Sequence, residues 1–562
     1  MSVGRSLRGG VQPPTHKAIS TRHPIRTPPL APLLALPLGG ARPVVEVGMP
    51  VDKGQLLATG SDRALHASTS GLVLGIEAHA VGPGRRGPCV LLETDGEDRW
   101  HPDLRAPDLE TLDRTGLLAA VAAAGIAGLG GGGFPTARKI AAGTGFHTLV
   151  INGMECEPYV TADDLLMREH ATAIIAGAKL AARLLDGPEQ ILVGIEDDKP
   201  EATAAMRRAA EGTDIRVVSL PTRYPSGGER QLIALLTGTQ VPDDRLPQEL
   251  GILCLNVGTL YALQRGLGHG EPLVSRIVTV SGGACHNPGN YRVPLGTPIA
   301  HLLAAADCQS RDCAGLVLGG AMMGEPLEDL QVPVTPTSHC LLALTAAELP
   351  PPQSRPCIRC GLCATVCPVA LLPQQLHRYA LVGNHRELER HHLSACIECG
   401  ACNYVCPSGI PLARQFRTAK AELEARRTAR RQADRDRQRF AAHQERRATE
   451  ARVRDSRHAA LANPESPPAN RSLDLARLAM AQAASPRESH HQALQRAAMA
   501  AADRLHRLEI QLDQLPPETG SQQRQALLAR VEQARIDHRE AQRRRAESGV
   551  PAQRPPPPEN SE

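Results

Sequence analysis

CIRCGLCATVCP at residues 357–368 and CIECGACNYVCP at residues 396–407 hold eight of the chain's fifteen cysteines. Both read C-x2-C-x2-C-x3-C-P. Three thiolates at this pitch wrap one iron–sulfur cube from a single tight loop. The fourth, set off just before the proline, ligates the partner cluster. The pattern assigns Cys357, Cys360, Cys363 and Cys406 to one [4Fe–4S] cluster, and Cys396, Cys399, Cys402 and Cys367 to the other. A pair of zinc sites is the competing reading. Zinc needs only paired C-x2-C knuckles, which leaves the third cysteine and the C-P ending without a purpose. Residues 349–416 are expected to form a helical, two-cluster, ferredoxin-like domain, with a helical spacer between Cys367 and Cys396.

Working outward, the chain of 562 residues is long enough for several domains. Its net charge of +4 is a near balance, so charge alone gives no reason to expect nucleic-acid binding. Thiolate ligands imply a reducing compartment, hence the cytoplasm. The remaining cysteines, Cys89, Cys156, Cys254, Cys285, Cys308, Cys313 and Cys340, are scattered and read as small buried hydrophobes. The N-terminus lacks the apolar segment of a signal peptide. The apolar stretch Leu117–Phe134 turns to glycine in its second half, so it reads as a helix running into a loop rather than a membrane span. Attachment to a membrane is expected only through a partner.

Residues 1–40 are proline-rich and read as an extended strap. Residues 41–110 carry short strand-like runs broken by glycine, a small β barrel-like unit of biotinyl/lipoyl type. It has no lysine at a hairpin tip, which argues against a swinging carrier arm. Residues 111–270 alternate strand-like runs (HTLVING, QILVGIE, DIRVVSL) with helical ones, which predicts an α/β domain around a mostly parallel sheet. Residues 271–348 read as a small α+β module. Residues 417–562 are rich in Ala, Arg, Gln and Glu and read as a charged helical or disordered tail. Within it Leu505, Leu508, Leu512 and Leu515, then Leu527, Leu528, Val531 and Ile536, suggest a short helical hairpin; a frayed charged tail is the alternative. The fold class is thus α/β multidomain.

Three segments upstream of the cysteines suit a phosphate-bearing cofactor. GLGGGGFPT (Gly128–Thr136) offers bare backbone amides, with Arg138 and Lys139 next to them. NGMECEPY (Asn152–Tyr159) follows a strand, at the edge where α/β sheets bind ligands. YPSGGERQ (Tyr224–Gln231) follows another strand and opens a helix. The bland alternative makes each carboxylate a helix cap and Tyr224 a core residue.

These segments, with NVGTLYAL (Asn256–Leu263), resemble the flavin-binding subunit of respiratory complex I. Adding the opening GGVQPPTHK (Gly9–Lys17), the barrel-like segment, the β-grasp-type module and CIECGACNYVCPSGIPL, the chain resembles the C subunit of the Rnf (Rsx) electron-transport complexes from about residue 5 to 420. The resemblance implies that Gly128, Gly130, Gly131, Lys139, Asn152 and Glu155 surround FMN. It places Tyr224, Gly227 and Glu229 in a second flavin and nicotinamide segment, Asn256 and Thr259 in a third, and Phe134 and Glu157 facing the nucleotide. Leu129, Met154 and Gly228 depart from the complex I pattern, where polar residues stand. The implied function is electron exchange between NAD(H), FMN and two [4Fe–4S] clusters, with no acid–base catalyst. The implied setting is the cytoplasmic side of the cell inner membrane, beside membrane subunits and a ferredoxin-type subunit. Two alternatives stay open: a soluble flavin/iron–sulfur reductase similar to a microcompartment cobalamin reductase, and a ferredoxin-like relay with no NADH site of its own. The related sodium-pumping quinone reductase subunit lacks the cysteine runs, which argues against it.

Overall fold

The computed structural model describes residues 6–60, 62–308, 311–349 and 354–462. Beyond these it describes residues 504, 505, 508, 512, 527, 528, 530–537 and 540. The chain divides into two units, Met1–Ala429 and Arg430–Glu562.

The first unit opens with an antiparallel β structure. Strands β1 (Leu33–Pro37), β2 (Arg42–Pro43), β3 (Pro50–Val51), β4 (Leu56–Thr59), β5 (Leu65–His66), β6 (Gly71–Gly82) and β7 (Arg85–Thr94) form two small sheets, ordered β1-β7-β6-β3 and β2-β4-β5. The strap expected to run to residue 40 is therefore shorter. Leu34, Ala35 and Leu36 are buried, and β1 pairs along β7. Proline-rich flanks hid this strand, because an edge strand tolerates prolines at its ends.

The α/β domain follows as expected. Helices α1 (Arg114–Ala123) and α2 (Thr136–Ala141) bracket the glycine loop. Then come β8 (Thr148–Asn152), α3 (Ala162–Leu184), β9 (Gln190–Glu196), α4 (Pro200–Ala210), β10 (Ile215–Leu220), α5 (Glu229–Thr237), β11 (Ile252–Asn256) and α6 (Val257–His269). The four strands are all parallel, in the order β10-β9-β8-β11. Alternate residues feed opposite cores. Leu149 and Ile151 join the cluster beneath α3, α4 and α6, while Val150 joins the one beneath α5. Helices α3 and α6 approach so closely that a Cβ on Gly177 would sit 1.9 Å from the Leu260 carbonyl oxygen. This contact fixes where the N-terminus of α6 lies.

The α+β module is a five-stranded sheet with one helix: β12 (Ser275–Ser281), β13 (Gly289–Pro294), α7 (Ile299–Ala305), β14 (Gly315–Leu318), β15 (Glu325–Pro326) and β16 (Cys340–Leu344), ordered β13-β12-β16-β14-β15. Cys285 and Cys308 are joined here by a disulfide. That corrects the reading of both as isolated buried hydrophobes: an antiparallel bridge sets the two residues side by side across 23 positions of sequence. Cys89, Cys254 and Cys340 are buried free thiols, as expected, and Cys156 and Cys313 are partly buried.

The cysteine runs are loops that each enclose one short helix, α8 (Leu362–Thr365) with Cys363 and α11 (Ala401–Tyr404) with Cys402, and α9 (Pro373–Leu381) and α10 (His385–Arg390) lie between them. Helix α12 spans Leu412–Ala462. Phe416, Ala419 and Leu423 of α12 are buried in the same core as Leu376, Leu388 and Leu393. The expected end of this domain at residue 416 is therefore too early. Among the described residues no helix is long and apolar enough to cross a membrane.

In the second unit, the described side chains of α12 are exposed on nearly every face. Leu508, Leu527, Val531 and Ala534 form a small core, with Leu505 and Leu512 against it. Leu528 and Ile536, expected in that stripe, are 47% and 39% exposed. Positions 527, 531 and 534 share one helical face, which 528 leaves by one step. Leu515 and the expected turn after it lie outside the described residues.

Candidate functional site

The two cysteine runs fold into the same loop twice. Arg359 and Glu398 occupy matching positions and both adopt φ of 57°. The following glycines, Gly361 and Gly400, are also left-handed. Each loop curls around a cavity. One is ringed by Cys357, Cys360, Cys363 and Cys406, the other by Cys367, Cys396, Cys399 and Cys402. In both, the fourth cysteine comes from the opposite run, the crossing that the spacing predicts. Among the described residues no three such ligands converge on a single-ion site. The quartets instead surround a volume, the layout in which each thiolate meets its own iron of a cube.

A second constellation lies at the C-terminal edge of the parallel sheet. Asn152 and Asn256 end adjacent strands and are register partners. Asn152 Nδ2 donates to the Gly227 carbonyl at 2.9 Å, and its Oδ1 accepts from Met154 N at 3.0 Å. Asn256 Oδ1 caps α6 by accepting from Gly258 N at 2.9 Å, while its Nδ2 donates to Asp163 at 2.6 Å. Lys139 Nζ donates to Glu229 and to the Cys254 carbonyl, both at 2.8 Å. Above them runs the glycine loop, pinned by Leu129 N donating to Thr259 Oγ1 at 3.0 Å. A Cβ on Gly131 would meet only His339, at 3.8 Å, and one on Gly132 would meet nothing within 4 Å. The loop therefore faces open space with bare backbone, the cradle that a phosphate-bearing cofactor requires. Gly128, Gly130 and Phe134 belong to this loop; Phe134 is 47% exposed, with the Arg138 guanidinium 5.5 Å from its ring centroid.

Four of the residues named from sequence act here as fasteners. Thr259 is buried under the loop it holds. Glu155 accepts from the amides of Asp163 at 2.8 Å and Asp164 at 3.2 Å, so it caps α3. Burial lifts its carboxyl to about pH 8, a shift that Asp163 reinforces and Lys17 opposes. Glu157 accepts from Met322 N at 3.0 Å and lies 3.4 Å from the Tyr224 hydroxyl oxygen, and burial lifts its pKa to about 7. Glu157 thus takes a partner from the loop after β14. Tyr224 is 2% exposed, and its hydroxyl donates to the carbonyl of Cys399, a cluster-quartet residue.

Tyr224 marks a seam. Val11 exchanges backbone hydrogen bonds with it, at 2.8 and 2.9 Å, and Gly10 N donates to the Val366 carbonyl at 2.8 Å. A Cβ on Gly9 would lie 2.8 Å from the Cys367 carbonyl oxygen. The strap therefore ties the α/β domain to the end of the first cysteine run, at Cys367, the residue that run lends to the second quartet. Sequence reasoning missed three buried participants. Lys17 Nζ donates to the Glu155 carbonyl. Glu196, the last residue of β9, accepts from Glu155 N at 2.8 Å and pairs with buried Lys199. The one available signal was that Glu196, like Asn152, ends a strand at the ligand edge.

The sequence has relatives. Residues 121–265 match the family model described as the Nuo51 FMN-binding domain, residues 5–97 the RnfC Barrel sandwich hybrid domain, and residues 353–410 a 4Fe-4S dicluster domain. A protein of Pseudomonas aeruginosa, named as the C subunit of an ion-translocating oxidoreductase complex, is 50% identical over 453 residues, covering 78% of this chain and 58% of that protein. The protein of the same name from Yersinia pestis bv. Antiqua is 44% identical over 466 residues, covering 80% of this chain and 74% of its own length. Among solved structures, an NAD+-reducing [NiFe]-hydrogenase in the air-oxidized state aligns with a TM-score of 0.41 and 21% identity, over 56% of this chain and 66% of that one.

Proposed function

This chain belongs to the family of the C subunits of ion-translocating oxidoreductase complexes, and from that premise we propose that it carries electrons between NAD(H), FMN and two [4Fe–4S] clusters. It does so as a peripheral subunit on the cytoplasmic side of the inner membrane, with membrane subunits and a ferredoxin-type subunit as partners. FMN, when bound, links a two-electron hydride donor to one-electron carriers. The glycine loop, Lys139, Asn152, Gly227, Glu229 and Asn256 would hold it. The fasteners Glu155, Glu157, Tyr224 and Thr259 keep those groups in place.

The observation that carries this reading is the seam at Tyr224. A side chain from the flavin-type domain bonds the backbone of a cluster ligand, so the cleft and the second quartet form one continuous packed body. Electron transfer over short distances needs such fixed juxtaposition; two domains that merely dock partners do not.

The test is cofactor analysis of the anaerobically purified chain. About eight irons and one FMN per chain are expected, with NADH bleaching first the flavin and then the cluster absorbance. Clusters without flavin, and no response to NADH, would make the chain a ferredoxin-like relay instead.

A further inference from the structure

A cavity of about 300 Å3 opens between the barrel unit, one flank of α6 and the start of β12. Leu129, Asp163 and Gly258 line it, so it adjoins the cleft described above, but Lys139, Asn152, Tyr224 and Glu229 do not, and its body runs along α6 away from them. Leu129, Leu166, Leu273 and Ile277 give it apolar walls, and Trp100 and Tyr261 add aromatic rings. Lys53, Arg265, Arg276 and Arg292 supply positive charge against the carboxylates of Asp163, which lies toward Arg276, and Glu271.

These cations differ in how they are compensated. Lys53 pairs with Asp98 at 2.6 Å, and Arg265 with Glu271. Arg276 is buried and spends its nitrogens on the carbonyls of Ile277, Pro336 and Leu129. Arg292 is half-buried and held by neutral groups only: the Tyr261 hydroxyl at 3.2 Å and His170 Nε2 at 3.1 Å. Burial and the adjacent Arg292 depress the His170 pKa, which keeps that imidazole an acceptor. Among the described residues no carboxylate pairs with Arg292. A guanidinium partly removed from water without a counter-charge is costly, and an incoming anion would offset that cost.

We propose that this cavity is a second ligand site, for a planar aromatic anion of mononucleotide size. Arg292 takes the phosphate or carboxylate, and the aromatic and aliphatic walls take the ring. The volume sits at the lower end of small-molecule sites, which suits one nucleotide and excludes a dinucleotide such as NAD(H). The ligand would touch Leu129, and so the rear of the glycine loop.

Trp100 is the only tryptophan of the chain and is 37% exposed, so its emission reports on this cavity. The experiment titrates the full, cofactor-loaded chain with adenosine 5′-monophosphate and follows Trp100 fluorescence. A saturable change is expected. Arg292→Leu should weaken it at least ~10-fold, the scale of one charge-assisted contact. Ala262→Leu, which fills the cavity and keeps the cation, should weaken it too, with cluster absorbance confirming the fold of both. Lys139→Ala should leave it within about twofold, since Lys139 serves the other cleft. No saturable change in the wild type, equal affinity in Arg292→Leu and Ala262→Leu, or loss with Lys139→Ala alone would each overturn the site. Inorganic phosphate acting at the same concentration as the nucleotide would overturn the aromatic part of the assignment.

Discussion

The two cysteine runs are nearly the same sequence and the same loop, yet their first two cysteines sit in different surroundings. In the first, Cys357 and Cys360 are exposed, Ile358 is 67% exposed, and Arg359 stands at the rim. In the second, Cys399 and Cys402 are buried, and Val11 and Tyr224 pack on Cys399 and Ala401. The matching acid, Glu398, is neutralised by Arg417 at 3.0 Å and Lys420 at 2.7 Å. A local motif sets which ligands share a cluster. What packs on the loop sets whether that cluster faces inward to the cleft or outward to a partner. On the proposed function, the second cluster exchanges with the flavin and the first with the next carrier.

The largest effect that could break this comparison is on wiring. Cys367→Ser should remove the cluster of Cys396, Cys399 and Cys402, and with it about half the iron. NADH should then no longer reduce the first cluster, although that cluster still assembles. Cys357→Ser should lose the other cluster and leave the second reducible. Paramagnetic resonance of both variants checks this; reduction of the first cluster at the wild-type rate in Cys367→Ser would reverse the assigned order.

Next in size is a pH effect confined to the buried side. Glu157 carries a folded-state pKa raised from 4.5 to about 7 by burial. Between those values the unfolded chain has lost a proton that the folded chain keeps. Stability should therefore fall as pH rises through that window and level off above it. Glu157→Gln does not titrate and can still accept from Met322 N. Its stability relative to wild type should rise across the window by up to about 3 kcal/mol, from ~1.4 kcal/mol per pKa unit. Denaturant melts at pH 5 and pH 8 measure it, and a pH-independent difference would place Glu157 in water. No matching pH step is expected for changes at the exposed rim of the first run.

A smaller effect sharpens the seam. Tyr224→Phe keeps the ring but leaves the Cys399 carbonyl without its donor and removes the hydroxyl beside Glu157. A loss of about 1–2 kcal/mol is expected for an unsatisfied buried acceptor, with flavin content unchanged and flavin-to-cluster transfer slowed. Stopped-flow absorbance separates the two steps; lost flavin with normal cluster reduction would make Tyr224 a cofactor contact instead. The smallest effect is expected from removing residues 430–562. Chain ending at Ala429 keeps the buried Leu423 and the Glu389–Arg427 pair. Its cofactor content and melting temperature should match the full chain, and an iron-depleted product would tie the second unit to the first.

Much of this was legible in the sequence because it is encoded over short spans. Ligand crossing follows from cysteine pitch, the parallel sheet from alternating runs, and the cradle from successive glycines. The end of the cluster domain was misjudged for the same reason. Arg-rich composition after residue 417 looked solvent-bound, whereas Phe416, Ala419 and Leu423 return to the core at helical spacing. The resemblance named Glu155, Glu157 and Tyr224 as cofactor-side residues; the protein partners each of them also takes come from distant segments that no local pattern records.

What the sequence determined alone is therefore the chemistry: two thiolate quartets and a glycine cradle, each fixed by spacing within a dozen or so residues. What only the tertiary structure decided is how those parts are joined. Gly10 meets Val366, Tyr224 meets Cys399, Glu157 meets Met322, and Cys285 meets Cys308. The physical reason is that a metal-binding loop satisfies its geometry locally. A buried hydroxyl, carboxylate or guanidinium instead takes its partner from whichever distant segment the packed core brings within hydrogen-bond reach, and no local pattern records that choice.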